Sequence, residues 1–414
     1  MPILFKISLN LRCKYPFMKM SSLDNILKSI FSDSENIDVK QEFEQKLNEF
    51  DISKTKALKL LKIDKDVFDQ IISGTAKQPN LIHVIKLAEF LDIEIDKFVK
   101  IVLKNQNEDN VASIDNARKV TFLLRNFDVK TLTKLGFFKP AYGTDELVQK
   151  VLDFFGYESI KEYEEKLERP LYSRTKRSFS DKMKDFWVKS AYQTFKVIDN
   201  PHDYDREKLK DLIIKMKPYS QDVRDGLYTV CRALYSTGVT LIFQDYLSTT
   251  QVRGGTFIIN SKPCVVITDF NKKYSTIWFT LMHELHHVLF DFDLIEKNSF
   301  HLTGDDDLFL IEEKADSFAR DYFLSLDKFR YIRNYINNPF LVSKFANENE
   351  IHESLVYTFF TWYMDKLYDK SYHAAFREFY PNYKNAVAKL NPISWNDDSI
   401  KVTSERIRNI LEIK

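Results

Sequence analysis

The chain has 414 residues, 44% of them apolar and 29% charged, and its 61 Lys and Arg are balanced by 60 Asp and Glu. That length points to a globular protein of two or three domains, and the balance excludes one drawn to nucleic acid or anionic membranes by its overall field. Three widely spaced cysteines, Cys13, Cys231 and Cys264, suit a reducing compartment rather than a disulfide framework. No apolar run approaches the ~18 residues of a membrane span, so the expected location is the cytoplasm.

Residues 1–37 read as an unstructured N-terminal extension. Lys6 interrupts its apolar run and no small-residue cleavage site follows, which disfavours a signal peptide and leaves the start open among Met1, Met18 and Met20. Residues 38–106 hold short amphipathic helices. Their apolar faces are expected at Leu58, Leu60 and Leu61, then at Val67, Phe68, Ile71 and Ile72, then at Ile82, Ile85, Leu87, Ala88 and Leu91. Asp64 and Asn80 are placed to cap two of the helices and Gly74 to end one.

The run from "SKTKALKLLKID" through "LAEFLDIEIDKF", residues 53–98, resembles the XRE or Cro-like helix-turn-helix. The resemblance implies an all-α DNA-binding module, but the charges oppose it. The candidate recognition helix carries Asp64, Asp66 and Asp69 against Lys65 alone, and residues 41–104 contain eleven lysines and eleven acids. DNA affinity comes largely from phosphate neutralisation, so this module is expected to hold a protein and to bind duplex DNA weakly.

Residues 107–199 read as a helical connector. Within it Arg169, Arg174, Lys176, Arg177, Lys182, Lys184 and Lys189 interleave with Tyr172, Phe179, Phe186 and Trp187. A solvated face over a buried aromatic stripe is preferred to a nucleic-acid strand site. Residues 200–414 form the third expected domain. "GVTLIFQDY" and "GGTFIINSKPCVVITD" are β-rich and joined by a turn at Ser261-Lys262-Pro263, giving a small sheet against the helix that follows. The expected class is therefore mainly α with a small β-sheet, α+β. An edge strand of that sheet would hold an extended peptide by backbone hydrogen bonds; Cys264 reads as a buried small hydrophobe.

The stretch "FTLMHELHHVLF", residues 279–290, carries the chemistry. On a helix, His287 falls about 40° from His283 one turn on, and Glu284 about 100° away, so the three side chains converge. Two imidazoles at i, i+4 suit zinc, and the glutamate between them is placed as general base: the HExxH arrangement of metallopeptidases. The alternative is a structural cluster, but buried His and Glu without partners are costly and the flanks are almost wholly apolar. His286, about 60° to the other side, reads as packing or support. Phe290 and Asp293 stand where metzincins need Gly and His, so the third ligand must lie further on. "IEEKADSFARDYFL", residues 311–324, offers Glu312 as ligand, with Glu313 the weaker candidate, and Asp316 to hydrogen-bond a ligand imidazole.

"FTLMHELHHVLF" followed by "EEKADSFARDYFL" resembles the ImmA/IrrE metallopeptidases, to which XRE modules are commonly fused. His286 replaces the usual small residue before the second histidine, and "YFLS" replaces the usual ending of the second motif. The resemblance implies a gluzincin-like core holding one zinc per chain through His283, His287 and Glu312, with Glu284 as base. It implies a protein substrate, such as a repressor or antitoxin with its own helix-turn-helix, cut in a stress, phage or mobile-element response. The alternatives are a DNA-binding regulator or a toxin-antitoxin component whose zinc domain senses or scaffolds; homo-oligomerisation is left open. In the C-terminal helices, His352 and Tyr357 are candidates for stabilising a tetrahedral oxyanion, against structural roles for both.

Overall fold

A computed structural model describes residues 38–76, 78–104, 108–168, 181–247, 250–270, 272–303, 312–390, 392–395 and 399–412. The N-terminal extension, Cys13 and residues 169–180 of the basic stretch lie outside the described residues. The chain divides into two compact units, Met1–Arg118 and Lys119–Lys414.

Among the described residues 38–104 of the first unit five helices follow one another: α1 (Val39–Glu49), α2 (Lys54–Leu61), α3 (Lys65–Ser73), α4 (Leu81–Leu91) and α5 (Ile95–Lys104). Asn80 caps α4, its side chain accepting the Ile82 N–H at 2.9 Å. Gly74 ends α3 at φ +73°, where a side chain would be strained. Asp64 takes the first-cap position of α3 but makes no side-chain cap bond. The core gathers Phe43, Phe68, Leu87 and Phe98, with the Phe43 and Phe68 rings 4.5 Å apart. Leu60, Ile82 and Ile85, expected in the core, are exposed instead. On α4 the positions Val84, Leu87, Ala88 and Leu91 make one complete i, i+3, i+4, i+7 face, and Ile82 and Ile85 fall outside it.

In the second unit a single core runs from Phe122 to Leu411. The segment expected as a connector shares that core. From helix α6 (Lys182–Ile198), Phe186 packs on Trp395 at 5.3 Å and Phe195 on Phe257 at 5.6 Å. Phe186 and Trp187 are fully buried, and Lys189 is buried and paired with Asp185 at 2.8 Å. Phe186 and Trp187 are therefore core, not a platform for bases; Tyr172 and Phe179 lie outside the described residues.

Four strands form one sheet in the order β1-β3-β2-β4: β1 (Thr240–Gln244), β2 (Gly254–Ile259), β3 (Lys262–Thr268) and β4 (Phe300–Thr303). β1 and β3 run parallel and the other pairs antiparallel. The β2–β3 turn falls on Asn260 and Ser261, at φ +53° and +59°, one residue earlier than expected. Two residues with positive φ match the twist of a hairpin, so Lys262 and Pro263 enter β3. Against the sheet lies α7 (Tyr274–Phe290), which also packs on α8 (Glu312–Phe323) and α9 (Glu353–Asp365). The whole is mainly helical with a small mixed sheet, an α+β arrangement. Among the described residues no helix is long and apolar enough to cross a membrane.

Candidate metal centre

Helix α7 is apolar almost all round, so it is buried between sheet and helices and takes its polar residues inside with it. His283 is 2% exposed, and Glu284 and His287 are fully buried. Each has its polar atoms satisfied. His283 Nδ1 lies 2.9 Å from Asp316 Oδ1, and His287 Nδ1 lies 2.9 Å from Asp291 Oδ2. Those carboxylates hold the Nδ1–H tautomer and turn both Nε2 lone pairs inward.

The inward atoms meet Glu312. Its Oε2 is 3.2 Å from His283 Nε2, its Oε1 is 3.3 Å from His287 Nε2, and the two Nε2 atoms are 3.2 Å apart. Tetrahedral zinc with N and O donors at ~2.0–2.2 Å places its donors ~3.3–3.6 Å apart. The two imidazole nitrogens stand at about that spacing from each other and each from one oxygen of Glu312, His283 from Oε2 and His287 from Oε1, so these three residues could hold a metal ion. Glu313, one position on, is exposed and stays outside the cluster.

The electrostatics follow from this crowding. Burial disfavours the charged form of His283, but its bonds to Asp316 and Glu312, with Glu284 nearby, outweigh that and raise its pKa to about 10. His287 is raised in the same way, burial being overcome by Asp291 and Glu312. Glu312 is held well below the usual carboxylate range: burial opposes this, but hydrogen bonds from His283, His287 and His301 prevail. His286 goes the other way, pushed down to about 4 by burial and by His287. Its ring lies against Phe290 and Phe318 at 4.8 and 5.5 Å, a packing position. His286, His287 and Asp291 also bring three donors together, but Asp291 is already bonded to His287 there.

The sheet holds the general-base candidate. The register pairs Gly254 with Thr303 and Thr256 with His301, so these four residues share the sheet face turned to α7. Thr256 Oγ1 donates to Glu284 Oε2 at 2.7 Å and Thr303 Oγ1 donates to Oε1. Gly254 leaves the necessary space, since a Cβ there would lie 2.7 Å from Glu284 Oε1. His301 Nε2 lies 2.8 Å from Glu312 Oε1 and thereby steadies it.

Sequence reasoning missed Asp291, although its i, i+4 spacing from His287 was there to be used. It also missed β4, and with it His301 and Thr303. The candidates His352 and Tyr357 lie elsewhere. His352 caps α9, accepting the Ser354 N–H at 3.1 Å, with its ring against Tyr274 at 5.4 Å. Tyr357 is fully buried and stacks on Phe379 at 4.3 Å. Neither joins the metal cluster; capping and packing are the structural roles weighed for them against the oxyanion one. Cys264 is a buried free thiol, pushed up by burial. No protein-family model, curated protein or solved structure matches the chain.

Proposed function

We propose that the second unit is a zinc-dependent endopeptidase of the ImmA/IrrE kind, cutting a regulatory protein such as a repressor or antitoxin. The observation that supports this best is the cluster of His283, His287 and Glu312, whose imidazole nitrogens lie 3.2 Å apart and each 3.2–3.3 Å from one oxygen of the carboxylate, beside a buried carboxylate that is no part of it. Zinc, when bound, supplies a Lewis acid that polarises the scissile carbonyl and makes water more acidic. Glu284 takes the water's proton and passes it to the leaving amine. Each of its oxygens accepts one threonine hydroxyl and keeps a second lone pair for this work. β4 is the edge strand of the described sheet on the side of the centre, and an extended substrate strand can pair along it.

The test is zinc content and cleavage in one protein. Purified full-length chain should hold about one zinc and cut a repressor or antitoxin co-expressed from an adjacent gene. Glu284→Gln should keep the zinc and slow cleavage by ~10²–10⁴. Unchanged cleavage in that variant removes Glu284 as base.

A further inference from the structure

Beside the metal centre a cleft of about 790 Å³ opens. It adjoins a recess lined by His283 and Thr303, with which it shares Arg253, Thr276, Phe279, Asp316 and Trp362. Whatever fills the cleft therefore lies next to the reacting bond. Its volume is that of a ligand pocket holding several side chains.

The wall nearest the centre is aromatic. Phe279 packs on Trp362 at 4.8 Å and on Phe359 at 6.2 Å, and Phe359 on Trp362 at 5.6 Å. Phe279 in turn stands 6.4 Å from the His283 ring. Phe279 and Trp362 are only partly buried, which leaves ring surface facing the cleft for another ring to pack on.

The charges are uneven. Arg253, Lys273, Arg320 and Lys366 line the cleft against Glu313, Asp316 and Asp365. Two of those acids are occupied, Asp316 by His283 and Asp365 by His373 at 2.8 Å. Lys273 leans on His373 at 3.3 Å and Arg320 on Asp321 at 3.1 Å. Lys366 and Arg253 are exposed and pair with no carboxylate among the described residues; of the two, Arg253 lies over the Phe270 ring at 5.5 Å. Arg253 also lines the recess at His283.

We propose that this cleft selects the substrate, taking a peptide segment in which a large aromatic side chain neighbours a carboxylate, the ring on Phe279 and Trp362 and the carboxylate on Arg253. The proposal rests on the peptidase reading for its use, but its binding chemistry can be measured apart from cleavage. Full-length zinc-loaded Glu284→Gln is titrated with fluorescent hexapeptides carrying adjacent Phe and Asp, in both orders, and with counterparts in which Asp becomes Asn or Lys, or Phe becomes Ala. The Phe and Asp peptides should bind at least ~10-fold tighter than each counterpart, as charge-assisted pairs and ring packing allow. In the Glu284→Gln background, Arg253→Glu should reverse the order of Asp and Lys, and Trp362→Ala should erase the preference for Phe. Equal binding of Asp and Lys peptides, or a charge preference untouched by Arg253→Glu, overturns the assignment. The two readings fail separately: the expected preference without hydrolysis by the unsubstituted protein removes the peptidase, while hydrolysis without preference removes this cleft as selector.

Discussion

The two units treat polarity in opposite ways. Among the described residues of the first unit every buried side chain is apolar, whereas the second buries His283, Glu284, His286, His287 and His301 within two neighbouring elements, together with Thr256 and Thr303. Burying such groups costs free energy unless each finds a partner. In the second unit each ligand does, and the partners converge on one point that suits a cation. A core that carries only apolar side chains specifies a shape; one that carries a solved polar problem specifies a site. The difference puts the candidate metal site in the second unit and leaves the first with its surface.

The sharpest way to break that contrast is to remove a ligand. His283→Ala should lower zinc affinity by more than the ~10–100-fold that losing an outer partner costs, while Asp291→Asn should stay within that range; both are read by competition with a chelator. Full zinc occupancy in His283→Ala would return the cluster to a merely structural role. Next in size is Gly254→Ala. The added Cβ meets Glu284 Oε1 at 2.7 Å and also approaches the Val266 carbonyl at 3.1 Å, so the carboxylate must leave its two threonines. Cleavage should fall by about 10²-fold, the scale of an ångström's misplacement, with zinc content unchanged. Retained activity would mean that the threonine clamp does not position the base.

A smaller effect tests the proton side of the same cluster. With His283 raised to about 10 and His287 also raised, the metal-free pair holds at least one Nε2 proton at neutral pH, each Nε2 facing an oxygen of Glu312. Zinc requires both lone pairs, so binding expels that proton. Apparent affinity should therefore rise by about tenfold per pH unit through neutrality and level off towards pH 10. Glu312, already held ionised, adds nothing to the slope. A flat profile between pH 6 and 8 would show that the free protein holds no such proton on these histidines.

How much of this was legible depended on the range of the interaction. The candidate ligands His283 and His287 and the candidate base Glu284 lie within five residues of one helix, so helical period alone brings them together. Glu312 and Asp316 needed only a second amphipathic helix to be read in the same way. The threonines, Gly254 and His301 enter the site through strand register, which couples residues 254 and 256 to 303 and 301. β4, with four residues, has too little alternation to announce itself. The packing of residues 182–198 was hidden for a related reason, since Phe186 and Phe195 find their partners at Trp395 and Phe257, far along the chain. The surfaces of α2 and α4 misled because short helices bury one stripe, and a local count of apolar residues does not show which of them lie on it.

The smallest effect expected is on DNA, and it bears on the first unit alone. α2 and α3 are joined through residues 62–64 as a helix, a turn and a helix, but Asp66 and Asp69 stand on α3 and both are exposed. Asp69 already takes Lys54 at 2.8 Å, so one of the few cations near α3 is spent inside the module. A groove-reading helix needs cations and amides towards phosphates and base edges, and here acids face outward from a module without net charge. Full-length Glu284→Gln, titrated with labelled duplexes by anisotropy at physiological salt, should bind no tighter than the ~10⁻⁴–10⁻⁶ M of non-specific association. Changing the duplex sequence should leave that value unmoved. Nanomolar, sequence-dependent binding would mean that the first unit reads DNA in spite of its acids, and would make the second unit the sensor of a DNA-bound regulator.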